Sequence, residues 1–263
     1  MSQSSSPEKT SLLEVDDLSV QFGGIKALDQ VSFKVWPRSV CGLIGPNGAG
    51  KTTLVNCVSR IQPPTRGDIR LKGRSVLAHR QYEMAGMGVL RTFQNLASFA
   101  HLPVWHNVLI GAHCQGSSGY IAALFGSRQQ RAEEKEIEAR ALLAMDRLSL
   151  TEHASTPVGQ LPAGVQRRVE MARALAAGPR LLLLDEPAAG LTPGELEQLA
   201  QHIHRLRDED GISVLLIEHN MNLVMNVCDE LVVLDFGRVI AKGSPDEVRE
   251  HPEVLRAYLG EPA

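Results

Sequence analysis

Cysteine is scarce in this chain of 263 residues, with four in all. Cys41, Cys57, Cys114 and Cys228 stand far apart and show no metal-ligand spacing. A disulfide scaffold and a cysteine-held metal are thereby disfavoured, and the four read as small buried apolar residues in a reducing compartment. Long hydrophobic runs are also missing: none reaches the ~18 residues of a membrane span. The chain is therefore expected to be soluble and to meet a membrane only through a partner. The opening residues, MSQSSSPEKTS, lack the apolar stretch of a secretory signal and read as a short disordered leader over 1–11. Nor does one sign of charge dominate. A formal charge of −3 argues against a general binder of phosphate backbones, whose surface is strongly basic, so no nucleic-acid partner is expected. No internal repeat occurs, and no low-complexity segment follows the leader.

What is present is enough apolar material for a core, 43% of the residues, in a length that suits one large domain or a domain with a smaller insertion. From Leu12 to Val35 the apolar residues fall mostly at every second position. Breaks at Asp16-Asp17 and Gly23-Gly24 predict turns between short antiparallel strands. The pattern then changes. VCGLIG from Val40, Leu181–Leu184 and Val214–Ile217 are apolar without alternation, as in parallel strands covered on both faces. Helical stretches lie between them, at Thr52–Arg60, at Gln166–Ala177 and from Thr192 to about Asp208. The last opens with the capping box Thr192-Pro193-Gly194-Glu195. Strand and helix in alternation predict a doubly wound α/β core. The segment from about Ala97 to Leu161 contains the helical run Arg131–Leu150 and the irregular GSSGYIAALFGS, and reads as an inserted helical unit. Its charged part, AEEKEIEAR, reads as a solvated helix face.

Four groups of residues carry chemistry. GPNGAGKTT, comprising Gly45, Pro46, Asn47, Gly48, Ala49, Gly50, Lys51, Thr52 and Thr53, follows a strand and opens a helix. Glycines there let successive N–H groups turn inward around a phosphate, at a helix N-terminus that favours negative charge. Lys51 is placed to reach β- and γ-phosphates and the Thr52 hydroxyl to ligate Mg²⁺. LLLLDEP delivers Asp185 to a strand end, where it can hold the Mg²⁺ shell, with Glu186 next to it to polarise an attacking water. The strand Val214–Ile217 leads to Glu218-His219, on the phosphate side of a parallel sheet. Gln94, after GVLRTF, is placed to sense Mg²⁺ or water and to pass a signal into the insertion. His202 and His204, two positions apart on a helix, read as surface residues.

Together these parts resemble, in kind and order, the nucleotide-binding subunit of ABC transporters over nearly the whole chain. The resemblance implies a P-loop NTPase core with an N-terminal antiparallel β subdomain and an inserted helical subdomain. It divides the chain into a first core part at 12–96, a helical subdomain at 97–176 and a second core part at 177–263. It also implies ATP and Mg²⁺ as cofactors, a Walker A loop at Gly45–Thr52, a Q-loop at Gln94, Walker B at Asp185-Glu186 and a switch histidine at His219. Phe22 would stack on adenine; without the family it is a strand aromatic that packs in the core. FGGIKAL, VLRTFQN, DEPAAGLTPGE, IEHNM with NLVM, and HPEVLRAYLG look most like the branched-chain amino acid uptake ATPases. Urea uptake and lipopolysaccharide export ATPases share parts of the tail. The implied partners are a second ATPase subunit, two membrane permeases and a solute-binding protein, with the chain on the cytoplasmic face of the membrane.

One departure stands out. The family's Leu-Ser-Gly-Gly-Gln type signature reads Leu161-Pro162-Ala163-Gly164-Val165 here. Proline removes a hydroxyl and its own N–H. Losing one or two transition-state donors costs roughly 2–4 kcal/mol, a factor of about 10² to 10³ in rate. This favours a heterodimer with one competent and one mainly structural ATP site, a homodimer being the alternative; Thr192, in the D-loop where Asn or Asp is more usual, bears on communication across the interface. A regulatory subunit that binds ATP with little turnover, and a non-transport ATPase, are the competing readings.

Overall fold

The computed structural model describes residues 10–92, 99–113 and 128–259. The period-two stretch near the N-terminus forms β1 (Leu13–Phe22) and β2 (Ile25–Val35), paired antiparallel across Gly23-Gly24. Asp16-Asp17 departs from expectation. It is a bulge inside β1, with Asp17 at φ 48° and register shifts against both neighbouring strands. The strand survives because Ser32 Oγ accepts from the displaced Asp17 N–H at 2.8 Å. β4 (Arg66–Leu71) pairs with the other edge of β1, and β5 (Arg74–Ser75) follows it; the sheet order is β2-β1-β4-β5.

The second sheet holds β3 (Val40–Ile44), β6 (Val89–Arg91), β7 (Leu181–Asp185), β8 (Ser213–Ile217), β9 (Glu230–Asp235) and β10 (Arg238–Gly243). Its order is β10-β9-β3-β8-β7-β6, with only β10 antiparallel to its neighbour. Every residue of β3, β7 and β8 is buried, which is why those segments show no alternation in sequence. β9 and β10 match no expected element: ELVVLD and RVIAKG are short and carry charges at their ends.

The sheet's two faces bury different cores. Cys41, Leu43, Leu181, Leu183, Leu215 and Ile217 face the antiparallel sheet and α1 (Lys51–Val58). Leu182, Leu184, Val214 and Leu216 face the side of the larger helices. α2 (Gln81–Gly86) is a short helix before β6. α3 (Val104–His113), α4 (Arg128–Arg147) and α5 (Ala163–Ala176) pack on one another as the inserted helical unit. α6 (Pro193–Asp208), α7 (Met221–Val227), α8 (Pro245–Arg249) and α9 (Pro252–Leu259) complete the chain. AEEKEIEAR lies on α4, exposed or half-buried except for Ile137. Arg147, at the end of α4, bridges to Glu209 and to Asp210 (3.0 Å) beyond α6 and so ties the insertion to the core.

Several expectations need correction. α1 starts at Lys51 rather than Thr52, and α5 at Ala163 rather than Gln166, so that Pro162 occupies the N-cap. His202 is no surface residue. It is 6% exposed on the inner side of α6 and hydrogen-bonds the Arg147 backbone. Burial in front of two arginines, Arg168 and Arg205, lowers its pKa, desolvation being the larger cause. His204, two positions on, is half-buried against Arg207. GSSGYIAALFGS, Gln94 and Cys114 lie outside the described residues. The other three cysteines are free and buried, and burial raises their thiol pKa values, to about 11 for Cys57 and about 12 for Cys228.

Candidate active site

Parallel strands aim their carboxyl ends at one rim, and a ligand crevice opens there where strand order reverses. β3 is such a place. The chain leaves it for the far edge at β6, returns through β7 and β8, and later places β9 on its other side. Gly45–Gly50 leaves the end of β3 here, and α1 begins at Lys51. Gly50 is the N-cap of α1 at φ 101°, and a Cβ there would meet the Ala27 carbonyl at 2.6 Å, so glycine is required on both counts. Asn47, Gly48 and Thr52 are exposed along this rim, and Ala49 is buried beneath it.

Lys51 Nζ lies back along the loop and donates to the Gly45 and Pro46 carbonyls at 2.6 and 2.9 Å. Partial burial lowers its pKa, against the opposing pull of Glu186 and Asp185 nearby. Lys51 and these two carboxylates are thus electrostatic neighbours, although 134 positions separate Lys51 from Asp185 in the numbering. Asp185 is 6% exposed and closes β7 on the α1 face. Its Oδ2 accepts from Arg91 Nη2 at 2.6 Å. Glu186 follows at φ 49°, in the left-handed region that costs an ordinary residue of order 1 kcal/mol. Its N–H donates to Ile217 O (2.9 Å) and its carbonyl accepts from Arg167 (3.3 Å). These contacts hold the strained turn at the end of β7.

Glu218, fully buried at the end of β8, organises the neighbouring loops. Its Oε1 accepts from the Ala188 N–H at 2.7 Å, and its Oε2 from the N–H groups of His219 (2.9 Å) and Asn220 (3.1 Å). One carboxylate therefore joins the loop after Glu186 to the loop that carries His219. Between those loops lies an open cleft of about 490 Å³. His219 projects into solvent at its rim, with Nδ1 3.9 Å from Glu218 Oε2.

Phe22 does not pack in the core: it is half-exposed at the end of β1, opposite the exposed Ile25. At the other side of the site, Pro162 caps α5 with no side-chain bond, its carbonyl accepting from Val165 and Gln166. Thr192 caps α6 with the reciprocal Glu195 contacts of a capping box, which hold the Glu195 carboxyl below its usual pKa. A Cβ at Gly164 would collide with Glu195 Oε1, so glycine is what lets the start of α5 approach that cap.

Among the described residues no group of three or more His, Cys, Asp or Glu side chains could hold a metal by itself. The donors at the rim are instead the Thr52 hydroxyl and one buried carboxylate beside a phosphate-type loop. That set fits Mg²⁺, which takes one or two protein oxygens and completes its octahedron with phosphate and water.

The sequence pointed to no role for Arg91 or Asn56, and named Glu218 only as the neighbour of His219. Arg91 and Glu218 had a signal: each is a charge at the end of an apolar run, GVL and VLLI. Asn56 had none.

A family model described as ABC transporter matches residues 28–189, more than half of the chain. The chain belongs to the ABC transporter family. A second model, branched-chain amino acid ATP-binding cassette transporter, matches residues 238–263. Among relatives, this ABC protein is 42% identical over 250 residues to the high-affinity branched-chain amino acid transport ATP-binding protein BraF of Pseudomonas aeruginosa, covering 95% of this chain and 98% of that one. It is 40% identical, at the same coverage, to the corresponding LivG protein of Escherichia coli. Among solved structures, the ADP conformation of an ATP-binding cassette of an ABC transporter superposes with TM-score 0.83 at 32% identity, over 95% of this chain and 99% of that one. A nucleotide-free cassette gives 0.82 at 31%, over 95% and 100%. The α/β fold with its antiparallel sheet and helical insertion is that of these cassettes. No helix among the described residues is long and apolar enough to cross a membrane.

Proposed function

We propose that this chain is the ATP-hydrolysing subunit of an importer for branched-chain amino acids, working through separate membrane subunits. The observation that carries the chemistry is the convergence of Lys51, Asp185 and Glu186 at the carboxyl rim of β3 and β7, beside the N-terminus of α1. The solute class rests on the names of the relatives and on the C-terminal model.

In this reading the N–H groups of Gly48 to Thr52 and the Lys51 ammonium bind the β- and γ-phosphates, with Lys51 leaving the Gly45 and Pro46 carbonyls to do so. Thr52 and Asp185 would hold Mg²⁺, with Gln94 in its shell, and the ion would offset the negative charge of the phosphates. Glu186 orients and polarises the attacking water, and His219 contacts the γ-phosphate. Phe22, already exposed, stacks on adenine. The chain divides into core (12–96 and 177–263) and helical (97–176) parts. Its partners are a second ATPase subunit that supplies the facing signature loop, two permeases and a solute-binding protein. It docks on the cytoplasmic face of the membrane.

Pro162 favours one refinement, a heterodimer in which the site completed by this chain's own signature turns over slowly. At the N-cap of α5 it presents no hydroxyl toward a facing nucleotide. The deciding measurement is ATP hydrolysis by the purified chain across protein concentration, beside Lys51→Ala. Near-blank turnover with ATP binding intact is expected, because the facing signature must come from the partner. A rate that climbs steeply with concentration would replace the heterodimer by a homodimer. Absence of ATP binding would overturn the function itself.

A further inference from the structure

Arg91 ends β6 at the edge of the sheet. Val89 packs into the α1-side core and Leu90 against the opposite one, so alternation turns Arg91 to the α1 face. In the β6–β7 register Arg91 stands opposite Leu183, and Asp185 is two residues further along on the same face. A guanidinium reaches that far. Its Nη2 donates to Asp185 Oδ2 at 2.6 Å and its Nη1 to Asn56 Oδ1 at 2.7 Å. The side chains of Arg91 and Asp185 are 9% and 6% exposed, so this is a buried pair.

A buried ion pair is weak support for stability, since desolvation offsets its attraction, and apolar residues of like volume serve as well. Its geometry, however, is informative. The rigid guanidinium splits its fork, one Nη on Asp185 Oδ2 and the other on Asn56 Oδ1, and so fixes where that oxygen sits relative to the helix, which a lysine ammonium on its flexible stem does not do. Here it spans three elements: the edge strand, the strand that delivers Asp185, and the helix that begins at Lys51 and carries Asn56. Outer-shell donors of this kind orient metal-ligating carboxylates.

We infer that Arg91 is a positioning residue for the metal that accompanies the nucleotide, holding Asp185 by Oδ2 and tying it through Asn56 to the phosphate-loop helix. This rests on the function proposed above. It adds that metal dependence, rather than nucleotide affinity as such, is what Arg91 sets.

The test is binding of a fluorescent ATP analogue to the full chain, titrated with Mg²⁺ and repeated in EDTA, for wild type, Arg91→Lys, Arg91→Met and Asn56→Ala. Affinity in EDTA should stay within about twofold of wild type, while the Mg²⁺ concentration for half-maximal enhancement rises about tenfold in Arg91→Met, outer-shell losses typically costing 10–100-fold in metal affinity. Arg91→Lys and Asn56→Ala should move it the same way by less, and they decide the matter if Arg91→Met does not fold. An unchanged Mg²⁺ midpoint in both, with lowered thermal stability alone, would make Arg91 a structural ion pair and overturn the inference. A lower midpoint would mean that Arg91 competes with the metal, and would overturn it too. If wild type binds the analogue with no response to Mg²⁺, the inference fails while nucleotide binding stands. If wild type binds no nucleotide, both fail.

Discussion

Replacing Glu218 by alanine removes the single acceptor of three backbone N–H groups. These belong to Ala188, His219 and Asn220, and the Ala188 bond is buried. An unsatisfied buried donor costs about 1–3 kcal/mol, and bonds to a charged group are worth about 1.5–3. The half-buried N–H groups of His219 and Asn220 can recover water, so the sum is nearer one full penalty plus two partial ones, about 3–4 kcal/mol. Against a typical stability of about 5–15 kcal/mol this leaves a folded but fragile protein. For a chain of this size each kcal/mol lowers the melting temperature by about 2–4 °C, so a fall of roughly 6–16 °C is expected. Urea unfolding with an unchanged m-value measures the free energy directly. Glu218→Gln keeps one acceptor oxygen and should lose about half as much. Because the bonds hold the loops after Asp185-Glu186 and around His219, turnover in the assembled transporter should drop even where the variant remains folded. A loss below about 1 kcal/mol in Glu218→Ala would refute the reasoning, since it would mean that water satisfies all three donors.

Three further outcomes follow from the same contacts. Pro162→Ser restores a side-chain acceptor at the N-cap of α5 and should raise stability by about 1 kcal/mol in urea unfolding; it should also raise turnover at the site this loop completes by about tenfold or more. Gly164→Ala should lower stability modestly by pushing the flexible Glu195 carboxylate off the Thr192 cap, and in a Glu195→Ala background most of that loss should vanish, as a double-mutant cycle would show. The folded-state pKa of His202 lies below its ordinary 6.5, so the unfolded chain binds more protons as pH falls through that value. Its contribution is whole above about pH 6.5 and is lost on acidification toward the depressed folded pKa. Melting temperature from pH 7.5 to 5 should therefore fall less in His202→Asn than in wild type.

The sequence by itself determined the chemistry that is local. GPNGAGKTT needs only a strand before it and a helix after it, and both are written in adjacent residues as an apolar run and a helical stripe. The Thr192 capping box, the buried parallel strands and the turn at Gly23-Gly24 were legible for the same reason, whereas the other expected turn, Asp16-Asp17, is a bulge whose displaced N–H Ser32 satisfies. Asp185, Glu186 and His219 were legible from the strands that deliver them, and resemblance added the adenine-stacking role of Phe22, the signature segment and the partner subunits. Tertiary structure alone decided what depends on register between distant segments. That Arg91 faces Asp185 follows from β6 pairing with β7, which no window of sequence contains. His202 turned inward because α6 packs that side on the core. Glu218 reaches the Ala188 N–H across 30 positions. A charged side chain announces in sequence that it needs a partner when buried, but only the packed fold chooses which one.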